Sequence, residues 1–209
     1  MKRAIFLFAV FCALAGTAGA QQIKASPFEG RWVWNGKGTD EPDFSELIFC
    51  GNVMMGLFTE DYPVYDGWFF TYTGSAINIG GDYYKWEYRF AGNVLTITDE
   101  YDDRYFYTKS VLEKSPIEGI WKISEKTNDE LEGYYFLFTG NIIAMGDETE
   151  FEGHKIEFRG RTFHPSLSLL GNDVTEKQLA EESIEYRISG RSMILKNSEG
   201  EEITVTKIY

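Results

Sequence analysis

The chain is poor in positive charge and in cysteine, and it lacks any apolar run long enough to span a bilayer. Twenty lysines and arginines stand against 33 aspartates and glutamates, a formal charge of −13 over 209 residues. Such a balance repels phosphate backbones and excludes nucleic acid as an expected partner. The cysteines are Cys12 and Cys50. Cys12 falls in an apolar N-terminal stretch that reads as a cleaved leader, so no intrachain disulfide is expected and stability must come from burial. The histidines are His154 and His164, beside Glu150 and Glu152. Their spacing is not that of metal ligands, and no Cys-x-x-Cys accompanies them, so neither a metal nor another cofactor is expected. Gly-x-Ser-x-Gly is absent, and Cys50 has no histidine in its own half of the chain, so no nucleophile motif points to an enzyme.

The leader has the three parts of a secretory signal. Lys2 and Arg3 open it, 4–15 form its apolar core, and Ala18-Gly19-Ala20 is a small-residue cleavage site. Phe11 is bulky where a lipoprotein signal carries small residues before its cysteine, so a lipid anchor on Cys12 is not expected. Cleavage after Ala20 leaves 189 residues with 18 basic and 33 acidic side chains, a net −15, in a secreted or periplasmic protein.

Those residues contain a repeat. Ser26-Pro27-Phe28-Glu29-Gly30-Arg31-Trp32 returns as Ser115-Pro116-Ile117-Glu118-Gly119-Ile120-Trp121, and Phe49-Cys50-Gly51-Asn52 as Phe138-Thr139-Gly140-Asn141. Trp86-Glu87-Tyr88-Arg89 returns as Ile184-Glu185-Tyr186-Arg187, and Thr108-Lys109 as Thr206-Lys207. Two copies of one unit are expected, 21–113 and 114–209, each folding as its own domain, joined by so few residues that they stay closely oriented.

Within each copy, short runs of alternating polarity are separated by Gly-x pairs: Gly51-Asn52, Gly74-Ser75 and Gly92-Asn93, then Gly140-Asn141, Gly160-Arg161 and Gly190-Arg191. Glycine at positive φ is what tight hairpin turns require, so neighbouring strands pair antiparallel. Trp68, Phe70 and Tyr72 alternate with Phe69, Thr71 and Thr73, and Trp86, Tyr88 and Phe90 with Lys85, Glu87 and Arg89. One face is apolar and the other polar, which predicts sheets wet on one side and argues against a barrel facing lipid. About eight strands per copy predict an all-β chain of two tandem small up-and-down antiparallel β-barrels. In the longer connection of the second copy, Thr175 to Glu182 is read as a short helix.

The Gly-x-Trp that opens each copy, Gly30-Arg31-Trp32 and Gly119-Ile120-Trp121, followed by a hairpin meander, resembles the lipocalin and fatty-acid-binding superfamily. It is most similar to the short lipocalin-like, calycin-type domains of bacterial exported proteins. The resemblance implies a ligand role. It also implies a last-strand Arg packed across the opening Trp; here the last strands carry Lys109 and Lys207 instead, with Arg89 and Arg187 one hairpin earlier.

The candidate ligand-binding residues are aromatic: Trp34, Trp68, Phe70, Tyr72, Trp86 and Tyr88, which with Trp32 face the first barrel's interior. Packed, they are a core. Open at one end, they form a cup for a small apolar or aromatic ligand, with 61–66 as its lip. The second copy's inward set is Trp121, Ile123, His154, Ile156, Phe158, Ile184 and Tyr186. The expected function is non-catalytic capture of such a ligand in the first barrel. The alternative is a cell-envelope or surface interaction protein whose barrels are filled and whose loops bind a protein or glycan. Asp40–Asp43 and Asp99–Asp103 read as solvated acidic turns, and Cys50 as a small hairpin residue open to partial exposure and reaction.

Overall fold

The computed structural model describes residues 26–58, 64–81, 84–124, 133–165 and 181–209. Sixteen strands lie among them. The first eight are β1 (Gly30–Gly38), β2 (Phe44–Cys50), β3 (Val53–Phe58), β4 (Tyr65–Tyr72), β5 (Ala76–Ile79), β6 (Tyr84–Ala91), β7 (Val94–Thr98) and β8 (Arg104–Ser110). The second eight are β9 (Gly119–Ile123), β10 (Tyr135–Thr139), β11 (Ile142–Gly146), β12 (Phe151–Arg159), β13 (Thr162–Pro165), β14 (Ile184–Ser189), β15 (Ser192–Lys196) and β16 (Glu202–Lys207). The fold is all-β. Consecutive strands pair antiparallel, and each set of eight closes on itself, β8 against β1 and β16 against β9. Closure leaves each ring an open edge only along the first part of β4 and of β12, and those two edges pair with each other. The expected leader at 1–20 and the expected helix at 175–182 fall on or across residues outside those described. Among the described residues no helix is long and apolar enough to cross a membrane.

The Gly-x turns explain the meander. Gly51, Gly92, Gly140, Gly160 and Gly190 all sit at φ between +59° and +64°, where a side chain would strain the backbone. Gly74 does not share that geometry; its turn is held by Thr73, whose Oγ1 accepts from Ala76 N at 3.2 Å.

Each barrel has its own core. The first is filled by Phe28, Trp32, Phe44, Leu47, Phe49, Met54, Phe70, Ile77, Ile79, Trp86, Leu95, Ile97 and Tyr107. The second is filled by Ile117, Trp121, Ile123, Phe136, Phe138, Ile156, Phe163, Tyr186, Met193, Leu195 and Val205. The two opening motifs do matching work at matching places. Trp32 Nε1 donates to Phe28 O at 2.6 Å, and Trp121 Nε1 to Ile117 O at 3.0 Å, so each indole is buried with its one donor satisfied. Lys109 Nζ lies 5.2 Å from the Trp32 ring centroid and Lys207 Nζ 5.5 Å from that of Trp121. Glu29 accepts from Gly51 N, and Glu118 accepts from Gly140 N, so each motif's glutamate pins the turn of the following hairpin.

A third core, between the barrels, departs from the expectation of sheets wet on one side. Ile48, Cys50, Val53, Met55, Tyr65 and Phe69 of the first barrel pack against Ile120, Tyr135, Leu137, Ile142, Ala144 and Phe151 of the second. Strands β2 and β10 are therefore dry on both faces, with Phe49 and Phe138 turned inward and Cys50 and Leu137 turned to the neighbouring barrel. Period-two alternation does not reveal such a strand, because apolar residues occupy both faces. Phe69, read as outward and wet, is buried here. Cys50 is 3% exposed, and burial first, then the charges of Glu29 and Glu118, hold its thiol well above its ordinary pKa, so the expectation of partial exposure and reactivity is corrected.

The seam also carries hydrogen bonds. The first half of β4 has no β5 partner and pairs instead with β12: Tyr65 opposite Gly153, Asp66 opposite Glu152, Gly67 opposite Phe151. The register is nearly two-fold symmetric, because Tyr65-Asp66-Gly67 and Phe151-Glu152-Gly153 occupy matching positions in their barrels. Each ring lies across from the other strand's glycine. A Cβ on Gly67 would stand 3.2 Å from Phe151 Cβ, and one on Gly153 would stand 3.2 Å from Tyr65 Cβ, so the missing side chains make room for the rings.

Candidate functional site

The six candidate residues fall into three groups. Phe70 and Trp86 are fully part of the first barrel's core. Trp34, Trp68 and Tyr88 pack against that core and are partly buried. Tyr72 is 43% exposed at the rim, its ring 5.6 Å from that of Phe28, and is corrected from an inward to a rim position. The rings touch one another closely. Phe28 lies 5.1 Å from Phe49, 5.8 Å from Phe70 and 4.7 Å from Tyr88, and Phe44 lies 6.0 Å from Trp68 and 6.1 Å from Trp86. These are ordinary edge and offset contacts between aromatic rings in a packed interior. The proposed lip also changes role. Residues 61–63 lie outside those described, and Tyr65 is buried in the seam, its hydroxyl donating to Glu46 Oε1 at 3.1 Å. Glu46 in turn pairs with Arg31, so the one carboxylate buried among these strands is neutralised.

Open space is found at the seam. One cavity of about 240 Å³ is lined by Asp66 and Trp68 of β4, by Tyr134, Met145 and Gly146, by Asp147 and Glu150 of the β11–β12 turn, and by Phe151 and Glu152. A second, of about 290 Å³, lies along Phe69, Phe70 and Thr71, Asn78, Gly80 and Gly81, and meets Glu148 and Thr149 from the same turn of the second barrel. Trp68 and Phe70 thus line cavities that residues of both barrels border.

Backbone pairing dictates the first cavity's chemistry. Side chains directly opposite across an antiparallel pair share a face, so Asp66 and Glu152 project together on the side away from the inter-barrel core. The turn at 147–150 adds Asp147 and Glu150. It is tied by Asp147 Oδ1, which accepts from Thr149 N at 2.7 Å and Glu150 N at 3.3 Å. Burial first, then the charges of Glu152 and Glu150, hold the Asp66 carboxyl above its ordinary pKa. A carboxyl raised in the folded state contributes stability below its unfolded pKa and loses it as pH rises, so near neutrality ionised Asp66 opposes folding. His154 is the neighbouring basic side chain, its Nε2 3.1 Å from Glu152 Oε1 at the edge of the site. The other histidine, His164, is buried, with Nδ1 2.9 Å from Pro165 O.

The seam set was missed in the sequence because its signal was read strand by strand. The aromatic-acid-glycine triplet at 65–67 and 151–153 repeats with the rest of the unit, yet only barrel–barrel pairing brings the two acids together. No protein-family model matches the chain, and no curated protein matches it either.

Proposed function

We propose that this chain is an exported, non-catalytic binding protein of two filled barrels, and that it takes its ligand at the seam between them. The observation that carries this reading is the contrast between the two places where aromatic side chains gather. In the first barrel they meet ring to ring; at the seam Trp68 and Phe151 also meet core rings, Phe44 and Phe69, but on one side only. At the seam, Trp68, Tyr134 and Phe151 border open space of a size suited to a small ligand, with carboxylates converging on it. The leader at 1–20 supports export. The resemblance to ligand-carrying lipocalin-like domains agrees with binding as the role, though it points to the barrel interior as the site.

Filled barrels also favour the reading of an envelope or surface interaction protein. Tyr101, 78% exposed at a hairpin tip, and Tyr72 at the rim offer it contact residues. Native mass spectrometry of the mature protein from its own host separates the two. A retained small molecule, lost from a Trp68→Leu variant, is the expected result. A retained macromolecular companion and no small molecule would overturn the seam reading in favour of the interaction protein.

A further inference from the structure

We propose that the seam cavity binds a small organic cation, one carrying a single ammonium or guanidinium head on a short apolar body. This rests on the seam reading and names the ligand class for it. Four carboxylates line the cavity, from two strands and one turn, and among the described residues no lysine or arginine lines it. His154 engages only Glu152, leaving Asp66, Asp147 and Glu150 without a cation in the lining.

Negative charge alone would suit a metal ion equally well, and the geometry argues against one. Among the described residues no three acidic, histidine or cysteine side chains stand close enough together to hold a metal. The carboxylates are spread around a space of about 240 Å³, many times the volume of a bare ion and smaller than a drug-sized site. Between them stand apolar and aromatic walls: Trp68, Tyr134, Met145 and Phe151. An alkylated cation uses both features at once. Its diffuse charge interacts with ring faces, indole best of all, and with surrounding carboxylates, while its methyl or methylene groups cover the apolar wall. A strongly hydrated metal ion gains nothing from that wall. An anionic ligand adds to the negative charge around the cavity, and a purely apolar one leaves it unrelieved.

The cavity also explains an otherwise unfavourable contact. Asp66 and Glu152 are cross-strand neighbours, an arrangement of like charges that destabilises a sheet. A cation between them turns that repulsion into attraction. Occupancy therefore tightens the β4–β12 pairing that joins the barrels, so ligand and seam stabilise one another.

The test is calorimetric titration of the mature full-length protein with choline and with n-butylguanidinium. The matched control is 3,3-dimethylbutan-1-ol, which keeps the shape of choline without its charge. Saturable binding of at least one cation and none of the neutral alcohol is expected. Glu150→Gln, at an exposed position, should weaken binding about tenfold, as should Asp66→Asn. Asp66→Asn should at the same time raise the melting temperature of the unliganded protein at neutral pH, which a merely misfolded variant would not do. A blocked Gly-Arg-Gly peptide and calcium chloride complete the set. No saturable heat from either cation up to about 10 mM, equal binding of the neutral alcohol, or tighter binding of calcium would overturn the proposal. Tighter binding of the peptide than of n-butylguanidinium would also overturn it, by assigning the cationic head to a protein partner. A retained neutral or anionic molecule in the native mass spectrum would defeat the cation and leave the seam reading standing.

Discussion

Single residues in this protein take their properties from which of three cores they meet. Cys50 shows this most plainly. Its neighbour Phe49 fills the first barrel, so Cys50 must point outward, and in an isolated barrel it would meet water. The second barrel covers it instead. Thiolate is the reactive form, and burial beside two carboxylates suppresses it. Cys50 should therefore resist a thiol-reactive dye such as Ellman's reagent in the native protein at pH 8 and react at once in denaturant. Rapid stoichiometric labelling under native conditions would mean that the seam opens freely. The expectation of partial exposure failed because no pattern within one repeat describes the partner that covers this face.

The elements were more legible than their environment. Ala76–Ile79 and Val94–Thr98 are strands with the bounds that their alternation and the Gly-x turns before them define. β4 begins at Tyr65, earlier than the Trp68 suggested by its inward stripe, because its first residues pair with β12 and not with β5. Strand content was legible because period-two patterning and turn glycines act locally. Inter-barrel pairing was not, because it joins residues 84 to 88 positions apart through backbone atoms that every residue carries. The opening motif's glutamate gains its meaning at this scale too. Glu118 Oε2 accepts from Ser115 N at 2.8 Å and Gly140 N at 3.1 Å, fixing the lead-in to β9 and the β10–β11 turn together. Glu29 makes the corresponding bonds to Gly51 N, yet burial raises its pKa and opposes its charge. Glu118→Ala should cost about 1.5–3 kcal/mol by urea denaturation, the range for hydrogen bonds to a charged group, and Glu29→Ala should cost less. Equal losses, or a larger one at Glu29, would show that the two motifs are not asymmetric in this way.

At the scale of the whole molecule, two rings of eight strands, each closed by its own hydrogen bonds, are held as one body by a shared apolar face and a shared strand pairing. Separating them would return that face to water, at roughly 1.5–3 kcal/mol for each large apolar side chain fully re-exposed, which is large beside the 5–15 kcal/mol net stability of ordinary domains. The aromatic stripe in the first barrel was legible as a stripe; that it is core, and that the open space lies at the seam, depends on how the barrels meet. Everything proposed here about function requires that the barrels do not come apart under native conditions. Differential scanning calorimetry of residues 21–209, 189 in all, tests that requirement most directly. We predict a single cooperative transition whose calorimetric and van't Hoff enthalpies agree, at about 130 kcal/mol near 60 °C for a chain of this length. Two separated transitions, each carrying about half of that enthalpy, would contradict it.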